Sequence, residues 1–399
     1  MGLNTTPASV PPLALYLHFP WCVRKCPYCD FNSHTLHGEL PQQAYLDALL
    51  VDLDAQLPQL GNRPIVSLFL GGGTPSLFKP DALGRFFEQV RARARIAADA
   101  ETTLEANPGT IERGRFAEYR AAGINRVSLG AQSFDSAQLT TLGRIHGAND
   151  THVAVDELRA AGLDNFNLDL MYALPGQSLD GALADLRTAI ALQPAHISHY
   201  QLTMEPGTVF GGRPPPGLPD DEHSYAMQHA CQDELARAGY AHYETSAYAR
   251  AGAQCAHNLN YWCFGDYLGV GAGAHGKITQ LNAADSTLTI TRTVREREPR
   301  RYLARGHLDA PPTTAVARAD LPFEFMMNAL RLVDGFDERL FESRTGLGVS
   351  AVGHSIKRLQ GRGLLETVPG EASSWRPTEL GQHFLNDVIT EFLPARPGT

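Results

Sequence analysis

The chain has 399 residues, 43% apolar and only 19% charged, enough for one large core and a smaller domain, and its net charge of −9 argues against a nucleic-acid backbone as the main partner. No stretch approaches the roughly 20 apolar residues of a membrane span, and Met1 to Pro12 lack the basic start and apolar centre of a signal peptide. Six cysteines, three of them crowded into one loop, do not resemble a disulfide framework, so a reducing cytoplasmic compartment is expected. Met1-Gly2 with Thr6 fits the bare myristoylation pattern, which is short enough to arise by chance.

In chain order, β-rich runs recur at Leu13 to Phe19, Ile65 to Leu70, Thr102 to Ala106, Arg126 to Gly130, Asn165 to Leu170 and His196 to Leu202. Amphipathic segments separate them: Gln42 to Leu57, Ala82 to Arg93, Ile111 to Ala122, Thr151 to Ala161 and Leu179 to Leu192. Six βα units in series predict an α/β fold with a parallel sheet, right-handed crossovers and a partly closed barrel whose functional groups sit at the C-terminal strand ends. A Pro/Gly-rich stretch, Glu205 to Pro219, closes the repeats. A helix around Asp221 to Ala238 and a segment rich in Tyr, His and Gly up to Lys277 follow it. Leu321 to Leu393 reads as helices with a short hairpin, a winged-helix-like α+β order, and in this acidic chain it suits a packing module or lid better than a DNA reader. The expected units are therefore 1–205, 206–310 and 311–399.

Cys22, Cys26 and Cys29 follow the first strand directly, with no fourth cysteine nearby. Three thiolates can hold three irons of a 4Fe-4S cluster and leave the fourth iron open. Two other readings stand beside this one. Cys26-Pro27-Tyr28-Cys29 alone is a redox dithiol motif, which leaves Cys22 idle, and a zinc knuckle would need His18 or His34 as fourth ligand. Further along, Gly71-Gly72-Gly73-Thr74-Pro75 lets backbone approach a ligand closely. Glu105, Gln132, Arg144 and Asp169 then fall at or beyond successive strand ends. Each alone could be a surface ion pair or helix cap. Gathered on one rim they suit a zwitterionic nucleoside, with an arginine for its carboxylate and an aspartate for its ribose hydroxyls.

Cys-x-x-x-Cys-x-x-Cys, Gly-Gly-Gly-Thr-Pro, Glu-Ala-Asn-Pro, Gly-Ala-Gln-Ser and Asp-Leu-Met-Tyr-Ala-Leu-Pro-Gly together resemble the radical S-adenosylmethionine superfamily. The similarity runs from Tyr16 into the C-terminal module. It is to the branch that holds oxygen-independent coproporphyrinogen III oxidases and haem chaperones. The resemblance implies a partial (βα)6 barrel, with Cys22, Cys26 and Cys29 as cluster ligands and Tyr16 near the cofactor. Gly72, Gly73 and Thr74 would line S-adenosylmethionine, Glu105, Gln132, Arg144 and Asp169 would bind its amino-acid and ribose parts, and Thr203 would contact adenine.

Within that branch, the decarboxylating oxidase carries a further cysteine where this chain has Phe31, and a longer N-terminal extension. His257-Asn258-Leu259-Asn260-Tyr261-Trp262 matches instead the motif of the chaperone branch. A neutral imidazole is a good axial ligand and Tyr261 and Trp262 offer flat apolar surface, so His257 is the candidate haem ligand, with His242 and His275 as rivals. The glycine run from Gly269 to Gly276 either carries backbone close to the cofactor or is a loop that needs positive φ. The resemblance thus implies a carrier of haem, a 4Fe-4S cluster and S-adenosylmethionine that serves respiratory haem proteins. It leaves room for a haem donor protein, a homodimer and membrane-surface association through partners. The competing expectation is a coproporphyrinogen III dehydrogenase.

Overall fold

A computed structural model describes residues 10–109 and 114–394; the Met1-Gly2-Thr6 pattern and the predicted helix start at Ile111 lie outside the described residues. Strand β1 (Leu13–Phe19) is buried along nearly all its length, as a strand covered on both faces must be. The chain then alternates through α1 (Gln42–Gln56), β2 (Ile65–Gly72), α2 (Pro80–Arg93), β3 (Ile96–Ala106), α3 (Phe116–Ala122), β4 (Arg126–Gln132), α4 (Ala148–Ala160), β5 (Phe166–Tyr172), α5 (Leu179–Ala191) and β6 (His196–Gln201). Strands β1 to β6 pair in parallel and in chain order. The sequence pattern had predicted this order, although β3 starts at Ile96 rather than Thr102, because exposed Ala98 and Asp99 interrupt the apolar pattern there.

Local signals set the helix ends. Pro80 opens α2 with Asp81 in its first turn and Arg91 and Arg93 in its last, each placed to favour the helix dipole. The Ser178 hydroxyl accepts from Gly181 N at the start of α5, and Gly123, at φ +111°, ends α3.

After α6 (Asp221–Arg237) the sheet grows at both sides. Strands β7 (Ala241–Glu244) and β8 (Ala247–Ala249) extend it antiparallel beyond β6. Helix α7 (Ala256–Trp262) follows, and β9 (Asp266–Val270) then pairs parallel with the free side of β1. Strands β10 (His275–Leu281), β11 (Leu288–Val294) and β12 (Thr313–Ala315) continue outward antiparallel. The 12-stranded order is β12-β11-β10-β9-β1-β2-β3-β4-β5-β6-β8-β7, so the sheet does not close on itself. It is concave, since one cavity is lined from β2 through β6, and α7 packs on β1, β2 and β9.

The main core lies between this sheet and its flanking helices. A second core belongs to the C-terminal module, built from α8 (Leu321–Ala329), β13 (Phe336–Asp337), α9 (Glu338–Thr345), α10 (Gly353–Gly361), β14 (Leu365–Thr367) and β15 (Ser374–Pro377). Its three strands run in the order β13-β15-β14, a small winged-helix-like α+β arrangement. Phe264 and Ile290 from the sheet's extension join this second core and fasten the module to the barrel. No described helix is long and apolar enough to cross a membrane.

Candidate functional site

The cysteine loop hangs from the C-terminal end of β1. Its two sides are stitched by a short parallel pair, Trp21–Cys22 with His34–Thr35. Inside it, Cys29 N donates to Cys26 O at 3.2 Å, and Lys25 Nζ donates to the carbonyls of Phe31 and Ser33. All three thiols are free and partly exposed, and all three line one cavity of about 740 Å³. His18 is engaged at both ring nitrogens, by Tyr16 OH at 3.0 Å and Asn32 O at 2.9 Å. Among the described residues no three His, Cys, Asp or Glu side chains converge on a single-ion position. His18 is thus engaged and not a free fourth ligand for a zinc knuckle, whereas His34 keeps a buried Nε2 without a partner among the described residues; the three-thiol set fits a cluster.

The same cavity collects the residues from the strand ends. Gly72, Gly73, Thr74, Glu105, Gln132, Arg144, Asp169 and Thr203 all line it. At Gly72, φ is +111° and a Cβ would fall 2.4 Å from the His18 ring; at Gly73 it would fall 2.6 Å from Trp21 O. Side chains are excluded there, so backbone reaches the cavity wall. Gly72 N donates to Glu105 Oε2 at 3.0 Å. Glu105 is pushed up to about 8, chiefly by burial and then by the neighbouring Asp169 carboxylate. Burial also raises Asp169, against hydrogen bonds from Asn167 at 2.8 Å and Ser128 at 3.1 Å. Two carboxylates facing one cavity call for a cationic ligand.

Arg144 supplies the opposite charge. It donates to Gly130 O at 2.8 Å, to Asn107 Oδ1 and to Cys26 Sγ at 3.5 Å, while its buried Nε has no partner among the described residues. An unmet guanidinium donor beside two carboxylates fits a zwitterion. Gln132 sits in the left-handed region at φ +66°, where β4 breaks register with β5. That conformation is costly for a residue with a Cβ. It sets the amide in the cavity wall, and Tyr200 OH donates to its Oε1 at 2.8 Å.

Several wall residues lie outside the sequence predictions. Asn107 belongs to the Glu-Ala-Asn-Pro motif and bridges Arg144 to Thr74, donating to Thr74 Oγ1 at 3.2 Å. Glu244 and Arg331 close the far wall together with Trp262, which the sequence had offered as haem surface; Arg331 lies over the Trp262 ring at 4.5 Å and 3.5 Å from Glu244. Arg331 follows α8, so the C-terminal module forms part of the cavity. Nothing in its local sequence marks that contact.

Tyr16 and His257 lie deeper, around an adjoining cavity of about 310 Å³. His257 is buried, stacked on Phe69 at 4.8 Å and 5.2 Å from Tyr261, with Nδ1 3.4 Å from Ser67 Oγ. Burial, with Arg126 nearby, lowers it to about 3, so the ring is neutral. Of its rivals, His242 is stacked on Tyr248 at 4.5 Å, whereas His275 is exposed at the edge of another hollow. In the glycine run the structure bears out the reading as a loop that needs positive φ. Gly271 and Gly273 have φ +110° and +80°, and the loop passes beside the cysteine loop, where Asn32 Nδ2 donates to Ala272 O at 2.9 Å.

Residues 16–189 match the radical SAM superfamily and residues 316–384 the HemN C-terminal domain. The chain is 47% identical over 385 residues to the heme chaperone HemW of Escherichia coli, covering 96% of this chain and 99% of that one. HemW of Haemophilus influenzae is also 47% identical, over 390 residues and the same shares. The chain belongs to the HemW family. Among solved structures, coproporphyrinogen III oxidase (HemN) from Escherichia coli superposes with a TM-score of 0.78 at 22% identity, over 98% of this chain and 91% of that one. At that identity the likeness establishes a shared fold, the radical SAM sheet with its C-terminal module. Membership of the superfamily implies a 4Fe-4S cluster and S-adenosylmethionine, and the cavity's donor set fits both.

Proposed function

We propose that this chain is a haem chaperone of the cytoplasm: it binds haem and hands it to acceptor proteins such as respiratory haem enzymes. The observation that carries this reading is the near-full-length similarity to proteins named heme chaperone HemW. Phe31 supports it, standing where the decarboxylating oxidase places a further cysteine.

In this reading Cys22, Cys26 and Cys29 hold the 4Fe-4S cluster and leave one iron for the amino-acid end of S-adenosylmethionine. Arg144 pairs the carboxylate through its unmet donor. Glu105 faces the positive end, Gly72 to Thr74 give it a wall without bulk, and Asp169 and Gln132 take the ribose. Tyr16 closes the inner side and Thr203 the adenine side. Bound together, the cluster and the sulfonium supply one-electron chemistry, and the protein positions them and excludes water.

The test is an anaerobic titration of haem into cluster-loaded protein, paired with an assay on coproporphyrinogen. We expect a saturable Soret band and no steady production of protoporphyrinogen. Turnover of coproporphyrinogen without haem binding would replace the chaperone by a dehydrogenase.

A further inference from the structure

Resting on the haem reading above, we infer that the imidazole offered to haem iron is His275, with Arg297 as the partner of a propionate, and that His257 is a buttress of the barrel interior. The two histidines differ in what surrounds them. His257 is 4% exposed and its ring is covered by Phe69 and Tyr261, while its backbone N donates to Glu101 Oε1 at 3.4 Å. The space beside it, about 310 Å³, shares Glu105, Ser128 and Asp169 with the cofactor cavity.

His275 is the first residue of β10 and exposed, and its imidazole has no hydrogen-bond partner among the described residues. It faces a hollow of about 370 Å³, bordered by Phe31, Tyr261 and Arg297, which meets the cofactor cavity at Asp30, Gly72 and Glu105. Phe31 is 59% exposed, and with Tyr261 it gives the hollow aromatic surface suited to a porphyrin face. Arg297 is exposed and forms no ion pair among the described residues, so its guanidinium can fork a propionate. Asp30 also borders the hollow and would repel a propionate, which fixes the orientation of the macrocycle towards Arg297.

The platform under His275 is rigid. Gly271 N donates to Asp52 Oδ2 at 3.0 Å, Ala272 N to Tyr45 OH at 3.0 Å, and Gly273 N to Glu296 O at 2.8 Å. Asn32, three residues after Cys29, donates to the carbonyls of both Ala272 and Arg297 at 2.9 Å. An exposed imidazole on a backbone held in this way can take haem by one face and leave an edge in solvent, where an acceptor can reach it. Preorganisation of this kind saves the cost of ordering the loop on binding.

The experiment is an anaerobic hemin titration of the cluster-loaded full chain, read by Soret difference spectra and by EPR of the ferric haem. His275→Ala should bind roughly tenfold more weakly, lose the imidazole-ligated spectrum and regain it when free imidazole is added. Arg297→Glu should weaken binding with the spectrum unchanged, and His257→Ala should keep the spectrum. A His275→Ala protein that titrates like the unaltered chain overturns the assignment, as does loss of the haem spectrum in a folded, cluster-containing His257→Ala protein. If the unaltered chain takes up no hemin, the haem reading itself fails, which is a different result.

Discussion

Buried charge occurs in two regions of this molecule, and they are finished differently. At the joint between β9 and β10, Asp266 is completely satisfied: one oxygen accepts from Lys277 at 2.9 Å and Thr279 Oγ1 at 2.7 Å, the other from Thr279 N and Arg63, both at 2.9 Å. Around the cofactor cavity, Glu105 keeps its proton up to about 8 beside Asp169, Arg126 acts on Asp169 and not on Glu105, and Arg144 has a donor unused among the described residues. The same residue types make a structural brace in one place and a ligand site in the other. Completeness of pairing tells them apart, because a buried carboxyl without full partners holds its proton until a ligand supplies the missing charge.

Mutations can break that contrast. The largest effect is expected at the brace: Asp266→Ala strands the Lys277 ammonium and should cost about 3–5 kcal/mol in denaturant unfolding. A cost below about 1 kcal/mol would mean that the joint is not a brace. At the rim, Arg144→Lys keeps the charge but loses the fork. It should weaken S-adenosylmethionine binding by about 1.5–3 kcal/mol in anaerobic calorimetry. Stability should change far less than at Asp266.

The subtlest prediction concerns pH. Glu105 has its ordinary value of 4.5 raised to about 8, so between those values the folded protein holds a proton that the unfolded chain has released. This group therefore makes stability fall as pH rises through that window. A cationic ligand favours the carboxylate, so S-adenosylmethionine affinity should rise with pH up to about 8, by at most about 1.4 kcal/mol per unit. Glu105→Gln should flatten that slope and leave the ligand-free protein no less stable, the opposite of Asp266→Ala.

Much of this architecture was legible in the sequence. The six strands and their helices showed because buried parallel strands are continuous apolar runs between amphipathic segments. The cysteine loop and the glycine run were legible because spacing and the lack of side chains are themselves the chemistry. The seventh parallel strand was not, since Asp266–Val270 is short and lies in a glycine-rich segment without alternation. Nor was the reach of Arg331 into the cavity, which depends on how the C-terminal module docks: Val333 N donates to Tyr243 O at 3.1 Å and Thr245 N to Arg331 O at 3.0 Å. The different surroundings of His257 and His275 were equally hidden, because burial is a property of packing that a lone histidine does not announce.

The place of β1 has one more consequence. With β9 on one side and β2 on the other, the strand from which the cysteine loop hangs has no free edge, and three further strands lie beyond β9 and six beyond β2. Transient opening begins where backbone hydrogen bonds meet solvent, as at the wholly exposed Thr313–Ala315, and reaches central strands only in near-global unfolding. Amide protons of Leu15 and Leu17 should therefore exchange among the slowest in the protein. The root of the iron–sulfur loop then stays still while the periphery breathes.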